Sequence, residues 1–276
     1  MQSTLIPPET LAASAGRIER APAATSAETA PRVRASVSPW RYELKYAVPR
    51  HAQAALLVDL HPYVEPDGHG DGAGCYIVHS VYFDSPDLAC FRAKLDGLPN
   101  RFKLRVRSYL WEGSAQASAF KLEIKERDAE RVRKIVTTMD ARSYENLVPL
   151  LESFRLPHPD VLASSTALAQ FFRVRTLHAM RAAVSVTYGR RAMIPRLDRR
   201  CRVTLDDGLV GAPTCALPCA SVPRASVPLC DDAVLEIKTP AHVPTWLVRL
   251  IKKHRLQRCS CSKYALAVPR CLAVDA

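Results

Sequence analysis

The stretch Arg101-Phe102-Lys103-Leu104-Arg105-Val106-Arg107 alternates basic and apolar side chains without a break. Three other segments repeat the alternation with a few glutamates on the charged side: Arg41-Tyr42-Glu43-Leu44-Lys45, Phe120-Lys121-Leu122-Glu123-Ile124-Lys125 and Leu235-Glu236-Ile237-Lys238. Because successive side chains of a β-strand point to opposite faces, each segment separates its apolar residues from its charged ones. Several such strands in one sheet would form a surface of cations with isolated carboxylates, which suits a polyanion and a divalent metal ion together.

The size and charge of the chain limit the possible functions. The chain has 276 residues, of which 48% are hydrophobic, enough to bury a sizeable core. Lys and Arg number 39 against 27 for Asp and Glu, a formal net charge of +12 that indicates an anionic partner. No apolar run is long enough for a transmembrane helix, and the first residues lack the pattern of a secretory signal.

Nine cysteines, an odd number, are scattered along a chain that is large enough not to need disulfides. This usage is typical of a reducing compartment and predicts a cytoplasmic protein. Cys201, Cys215, Cys219 and Cys230 leave a zinc site open as an alternative, although their spacing is not the paired spacing of structural zinc sites.

Composition and periodicity predict how the chain is organised. Residues 1–38, rich in Ala, Pro, Ser and Thr, are predicted to be a disordered tail, and residues 39–272 a single domain with an irregular Pro- and Cys-rich insertion at about 207–231. Strands are predicted at 40–48, 75–83, 101–111, 118–126, 130–137, 182–194, 200–206 and 233–238. Helices are predicted at 49–60, 84–95, 140–153, 160–180 and 243–254.

This order of elements predicts an α+β fold, in which antiparallel strands form a closed β-barrel with helices packed outside. The alternating strands leave two orientations open, with the cations either outside in solvent or inside the barrel. The helices at 140–180 and 243–254 need an apolar barrel exterior to pack against, and this need favours cations inside.

Eight motifs in order resemble the VTC domain, the polyphosphate polymerase domain of the vacuolar transporter chaperone family. The motifs lie at 41–46 (RYELKY), 80–85 (SVYFDS), 103–109 (KLRVRSY), 121–125 (KLEIK), 186–190 (VTYGR), 202–206 (RVTLD), 235–238 (LEIK) and 262–264 (SKY). That family belongs to the triphosphate tunnel superfamily, which also contains the CYTH-type triphosphatases. The resemblance covers about residues 38–270.

The resemblance implies a tunnel barrel that binds ATP and the growing polyphosphate chain together with Mn²⁺ or Mg²⁺. By position, the residues implied to act in catalysis are Lys45, Arg105, Arg107, Lys125, Arg190 and Arg202. Those implied to bind phosphate are Lys94, Arg131, Arg133 and Lys263, and those implied to bind the metal are Glu236 and Glu43. A membrane-protein partner is left open, because the sequence does not show one.

Three positions depart from the family pattern. Ser260 replaces a lysine, and Lys94 replaces an arginine, which keeps the charge but loses the planar fork of donors. In the strand at 184–190, Arg190 has the parity of Val184 and Tyr188. A bulge at Gly189 would bring Arg190 inward; otherwise Arg191 faces inward.

Arg41 bears on the choice between polymerase and hydrolase, because CYTH enzymes have a glutamate at that position. The loss of this glutamate fits transfer of the phosphoryl group to a phosphate acceptor better than attack by a metal-activated water. Glu43 has an alternative role as an internal ion pair with Lys45 or Arg107, and for Glu123 such a structural role is favoured.

Three functions are therefore compared. The favoured one is an ATP-dependent polyphosphate polymerase, and the second is a metal-dependent tripolyphosphatase. The third is a non-catalytic binder of polyphosphate or nucleic acid; nucleic acid is not expected, because only 7% of the residues are aromatic and few rings fall on the charged faces.

Overall fold

A ring of antiparallel strands organises the computed structural model, which describes residues 33–68, 71–110, 117, 119–214, 217 and 226–272. The strands are β1 (Val33–Val37), β2 (Arg41–Val48), β3 (Val64–Pro66), β4 (Cys75–Asp84), β5 (Asn100–Leu110), β6 (Ala119–Asp128), β7 (Arg131–Asp140), β8 (Arg181–Pro195), β9 (Arg202–Pro213), β10 (Val227–Pro228), β11 (Ala233–Thr239) and β12 (Gln257–Arg258). The helices are α1 (Arg50–Leu60), α2 (Ala89–Leu95), α3 (Ala141–Glu152), α4 (Pro159–Ala163), α5 (Thr166–Leu177), α6 (Thr245–Lys253) and α7 (Lys263–Leu272).

Eight of the strands close on themselves in the order β7-β6-β5-β4-β8-β9-β11-β2. The closing pair is β2 with β7, where Arg41 lies opposite Val132 and Tyr42 opposite Arg131. The predicted fold, an α+β closed antiparallel barrel with helices packed around it, is confirmed.

The register of the ladder turns the charged face of the strands inward. Lys103 lies opposite Lys125 and Arg105 opposite Glu123, while Glu236 lies opposite Lys45. Residues directly opposite each other in an antiparallel pair share one face, so these side chains point into the same interior.

The apolar face of the barrel packs against two groups of helices. On one side Phe120 stacks on Tyr144 of α3, and Phe83 meets Phe171 of α5 edge to face. On the other side α1 and α6 bury leucines against Leu235 and Ile237 of β11. Among the described residues, no helix is both long enough and apolar enough to cross a membrane.

One helix lies on the inner face of the barrel instead. Gly211 of β9 lies opposite Val186, whose side chain faces inward. A Cβ atom added at Gly211 would lie 3.4 Å from the Cβ atom of Ala267 in α7, so α7 packs directly on this part of the inner face. Tyr264 of α7 stacks on Tyr82 of β4, and its hydroxyl donates a hydrogen bond to the buried carboxylate of Asp84. Helix α7 therefore covers the apolar part of the interior.

Several boundaries differ from the sequence prediction. The predicted tail at 1–38 ends earlier, because Val33–Val37 pair with β7; residues 1–32 lie outside the described residues. The predicted insertion at 207–231 is also shorter, since β9 continues to Pro213, and most of the remainder lies outside the described residues. The predicted helix at 160–180 is divided, because Ser165 caps a new helix by accepting a hydrogen bond from Leu168 N.

Arg190 points inward together with Tyr188, and both line the chamber. Strand β8 needs no bulge for this, because its pairing with β4 is unshifted from Arg191–Cys75 to Val184–Tyr82. The irregularity lies on the other neighbour, β9. Thr187 pairs with Val210 and Gly189 with Asp207, so two residues of β9 face Tyr188 alone. One of them, Gly208, has a φ of 61°, as in a bulge that starts with a left-handed glycine. The bulge therefore lies opposite Tyr188 and on β9, not in β8 at Gly189, and of the two alternatives Arg190 is the residue that faces inward.

Candidate functional site

The interior of the barrel contains a chamber of about 400 Å³. Its described lining contains thirteen Lys and Arg residues and two carboxylates. The cations are Lys45, Lys94, Arg101, Lys103, Arg105, Arg107, Lys125, Arg127, Lys134, Arg190, Lys238, Arg258 and Lys263, and the carboxylates are Glu43 and Glu236. Two further buried carboxylates, Glu123 and Asp206, bind cations of this lining.

Glu43 and Glu236 lie on neighbouring strands with a lysine between them. Lys45 Nζ is 3.5 Å from Glu43 Oε1 and 3.4 Å from Glu236 Oε1. Lys125 Nζ reaches both oxygens of Glu43, at 2.7 and 2.8 Å. Glu43 thus forms the internal ion pair that the sequence offered as an alternative, with Lys45 and Lys125 and not with Arg107.

Asp206 is a fully buried carboxylate that the sequence reasoning missed as a site residue. It accepts two hydrogen bonds from Arg190, at 2.6 and 2.7 Å, and one from Lys263 Nζ at 2.6 Å. Lys263 Nζ is also 3.0 Å from Glu236 Oε1. The alternation of Arg202, Thr204 and Asp206 on one face of β9 was the available signal.

A second missed residue is Lys134, on the inward face of β7. Glu123 Oε2 accepts a hydrogen bond from Arg105 Nε at 2.6 Å. The other carboxylate oxygen, Glu123 Oε1, is 3.4 Å from Lys134 Nζ. Glu123 therefore has the structural role that the sequence favoured, which is to hold two cations of the lining.

The cations around the carboxylates keep them ionised. Burial raises the pKa of the Glu236 carboxyl, but Lys263, Lys238 and Lys45 lower that pKa well below its usual range. Burial likewise raises the pKa of Glu43, and Lys125 reverses the effect. Both side chains are therefore anions at neutral pH.

Two lysines experience the opposite balance. Burial, and then repulsion by Lys45 and Lys125, lowers the pKa of Lys103 well below its usual value. Burial also lowers the pKa of Lys238 to about 8, although Glu236, 3.0 Å away, opposes the change. These two ammonium groups would gain most from a bound anion.

One mouth of the chamber carries cations that bond mainly to backbone oxygens. Arg101 donates to Leu98 O, and Arg127 donates to Ala129 O at 2.6 Å. Burial and mutual repulsion lower the pKa of Lys94 and of Arg101. Among the described residues the nearest carboxylate to Arg258 in an ion pair is Glu130, at 3.9 Å. The mouth is thus less neutralised than the centre.

Tyr188 packs among three of the cations. Its hydroxyl accepts a hydrogen bond from Arg107 Nη2 at 3.3 Å, and Arg107 Nε donates to Ser80 Oγ at 3.0 Å. Lys263 Nζ and the Arg190 guanidinium lie 4.7 and 5.3 Å from the centre of its ring. These contacts hold the guanidinium groups in fixed positions.

The structure brings together most of the predicted site residues. Lys45, Lys94, Arg105, Arg107, Lys125, Arg190, Lys263, Glu43 and Glu236 line the chamber. Arg202 faces inward opposite Lys238 but is not part of the lining, since it binds Asp67 and the hydroxyl of Tyr76.

Arg131 and Arg133 do not reach the chamber, which corrects the sequence prediction. The register of β7 turns Val132 and Lys134 inward, so Arg131 and Arg133 lie on the outer face. There they pair with Asp128 and Glu126 and pack over the Trp40 ring. The family-based register was displaced by one residue, which moves a side chain to the other face.

The carboxylate pair fits the divalent metal ion that the resemblance implied. No group of three His, Cys, Asp or Glu residues that would hold a metal alone occurs in the described part of the chain. Mg²⁺ and Mn²⁺ are, however, commonly bound by one or two carboxylates with phosphate oxygens as further ligands. Glu236 and Glu43 supply that donor set. For the zinc alternative, Cys215 and Cys219 lie outside the described residues.

Comparison of the sequence with models of protein families identifies the family of the chain. The model of the VTC domain matches residues 40–271. The chain belongs to the VTC domain family. No curated protein matches the chain at a significant level.

Solved structures similar to this VTC-domain chain have low sequence identity. A proposed adenylate cyclase from Bacillus halodurans has 14% identity and a TM-score of 0.49, covering 80% of this chain and 93% of that chain. A proposed adenylyl cyclase from Hippeastrum, described as having a dominant triphosphatase activity, has 13% identity and a TM-score of 0.47, covering 82% and 94%. A protein from Pyrococcus horikoshii has 12% identity and a TM-score of 0.44, covering 82% and 97%.

Proposed function

We propose that this VTC domain is an ATP-dependent polyphosphate polymerase. The observation that carries the proposal is the charge of the chamber: thirteen lining cations face four carboxylates, counting Glu123 and Asp206. A nucleoside triphosphate carries only about four negative charges near neutral pH, two of them on the terminal phosphate. The excess of nine cations exceeds what one triphosphate neutralises, and a longer phosphate chain matches it better.

The proposed reaction transfers the terminal phosphoryl group of ATP in line to a phosphate or polyphosphate end. An oxygen of the acceptor phosphate forms a bond to the γ-phosphorus, the bond from that phosphorus to the β–γ bridging oxygen breaks, and ADP leaves. The acceptor oxygen is already an anion, so no general base is required. Such a reaction asks the protein mainly for positioning and charge neutralisation.

The chamber residues have distinct parts in this scheme. Arg105, Arg107 and Arg190 present planar guanidinium groups held by Glu123, Ser80 and Asp206, and such groups bind phosphate oxygens bidentately. Lys45, Lys125 and Lys238 act as point charges that offset the charge developing on the transferred group and on ADP. A divalent ion held by Glu236 and Glu43 would neutralise further phosphate charge.

The experiment is product analysis of the purified chain with ATP and Mn²⁺. A ladder of phosphate polymers on a gel is expected, with ADP released in proportion. Release of inorganic phosphate without a ladder would contradict the proposal and establish the tripolyphosphatase instead.

Three variants test whether the reaction takes place in the chamber. Glu236→Gln removes the proposed metal ligand and Arg107→Ala removes a buried guanidinium, so both should lose the ladder while keeping the fold by circular dichroism. Arg131→Ala is the matched control, because Arg131 is on the outer face, and it should retain the ladder. Equal loss in all three variants would argue against this site.

A further inference from the structure

Helix α1 exposes an apolar face to solvent. Leu56 and Leu60 are fully buried against the barrel, as expected for the inner face of a surface helix. The outer face should then be polar, but it carries exposed Ala54, Ala55 and Val58, and Val58 is 72% exposed. The other two exposed residues of α1 are Arg50 and His51, so the outer face combines an apolar centre with basic residues and no exposed carboxylate. Such a face is suited to a partner that accepts apolar side chains and is anionic.

The loop between β8 and β9 carries a second exposed apolar side chain, and this loop is joined to the segment that follows α1. Leu197 is 95% exposed, and it is flanked by exposed Arg196, Arg199 and Arg200. Arg196 N donates a hydrogen bond to Tyr63 O at 3.0 Å, three residues beyond the end of α1. The loop tip and the end of α1 therefore belong to one continuous surface.

Helix α6 completes the surface and adds cations. Trp246 stacks on Tyr63, with ring centres 4.7 Å apart and planes inclined by 4°. Lys253 Nζ and His254 Nε2 bind Asp59 of α1 at 2.6 and 2.7 Å. Arg249 is three residues after Trp246 and four before Lys253, so it lies on the same side of α6.

We call this region the α1–loop surface, defined by Val58, Tyr63 and Leu197 with the surrounding charged residues. The surrounding cations are Arg50, Arg196, Arg199, Arg200, Arg249 and Lys253, and the acidic residues are Asp59, Glu65 and Asp198. Because cations outnumber carboxylates two to one, a second copy of the same surface would be repelled. The partner must be anionic and must also accept apolar side chains.

We propose that the α1–loop surface binds the face of an anionic lipid bilayer. An interfacial helix buries its apolar face at the boundary between headgroups and acyl chains while nearby Lys and Arg contact anionic headgroups. Val58 on α1 and Leu197 on the loop tip are the inserting side chains, and the surrounding arginines contact the headgroups. This inference is independent of the polymerase proposal, because it uses no residue of the chamber.

The test is flotation of the full chain with vesicles, in saturating tripolyphosphate so that the chamber cations are occupied. Wild type should float with phosphatidylcholine vesicles that contain phosphatidylserine and remain at the bottom with phosphatidylcholine alone. For the double variant V58E/L197E, most of the protein that floats in the wild type should remain at the bottom. L177E is the matched control, since Leu177 is 69% exposed but lies at the end of α5, and it should float like wild type.

Each other result overturns the proposal. Flotation of V58E/L197E equal to wild type would show that net positive charge alone drives binding. Equal loss in L177E would show a general effect of added charge. Failure of wild type to float with anionic vesicles would exclude the bilayer and leave an acidic protein as the partner of this surface. All three substituted side chains are surface residues, and melting temperatures close to wild type would verify that the variants fold.

Discussion

At the scale of single residues, two buried lysines of the chamber are in opposite electrostatic situations. Lys263 is 5% exposed and bridges Asp206 and Glu236. Burial lowers the pKa of Lys263, but these two carboxylates raise it well above its usual value. Lys103 bonds to Ser262 Oγ at 2.5 Å, and every charge that shifts its pKa is another cation. Lys263 thus stabilises the empty fold, whereas Lys103 is positioned for an anion.

This contrast predicts that replacing Lys263 lowers the free energy of unfolding and that replacing Lys103 does not. Lys263→Met should destabilise the chain, on the order of 3 kcal/mol, because two buried carboxylates lose a shared partner. Lys103→Met should leave the free energy of unfolding unchanged or raise it, because a repelled cation is removed, while tripolyphosphate affinity falls. Urea unfolding and calorimetric titration measure the two effects. Equal destabilisation by both substitutions would contradict the assignment.

Lys238 predicts a pH dependence of anion binding. Its pKa is lowered to about 8, so the free chamber loses this charge as the pH rises through 8. The ratio of the tripolyphosphate affinity of wild type to that of K238M should therefore be largest below pH 8 and decrease towards one above it. The ratio for R127A is the control, because arginine does not titrate in this range and its ratio should stay level. A K238M ratio that is constant with pH would refute the prediction.

Much of the residue-level candidate site was predictable from alternation, and the misses have two causes. Lys45, Arg105, Arg107 and Glu236 were found because each lies in a strictly alternating strand. Arg131 and Arg133 were misplaced because a one-residue register shift exchanges the faces, and no local signal fixes the register. Asp206 was missed although it alternates with Arg202 and Thr204, because its ion pair with Lys263, which is distant in sequence, is formed only in the fold.

At the scale of elements, the bulge in β9 sets which side chains of β9 enter the chamber, because it brings Asp206 opposite inward-facing Arg190. The bulge contains Gly208, whose φ is 61°. No atom lies within 4 Å of the position that a Cβ atom on Gly208 would take. The cost of a side chain there is therefore conformational and not steric.

Gly208→Ala should destabilise the chain by about 1 kcal/mol, the cost of placing an L-residue in the left-handed region. Gly208→Asn should cost less, because asparagine tolerates that region. Gly72→Ala is the control, since Gly72 also has open space but no positive φ. Denaturant midpoints at constant slope give the comparison. Equal effects at positions 208 and 72 would contradict the role of the bulge.

The helices show what element-scale prediction missed. Helix α3 was predicted with its start, because Asp140 is the cap and accepts a hydrogen bond from Ser143 N at 2.8 Å. Helix α7 was not predicted as a helix. Pro269 interrupts its pattern, and its packing on the inner face at Gly211 is a tertiary contact.

At the scale of the whole molecule, the fold class followed from repetition. One alternating strand leaves the orientation of its charges open, but several strands combined with apolar helices require a barrel whose outside is apolar. No sequence pattern predicted which two strands close the barrel, because β2 and β7 are joined by only two residue pairs. Closure depends on the tilt and stagger of all eight strands.

The charge of the chamber predicts that it binds a phosphate chain longer than a triphosphate. The most direct measurement is calorimetric titration with linear polyphosphates of increasing length in metal-free buffer at fixed salt, since affinity for a polyanion falls as salt screens the charges. The affinity per chain should keep rising beyond three phosphates, and R127A at the mouth should reduce the gain for long chains more than the affinity for tripolyphosphate. An affinity that reaches its maximum at three phosphates would contradict the account.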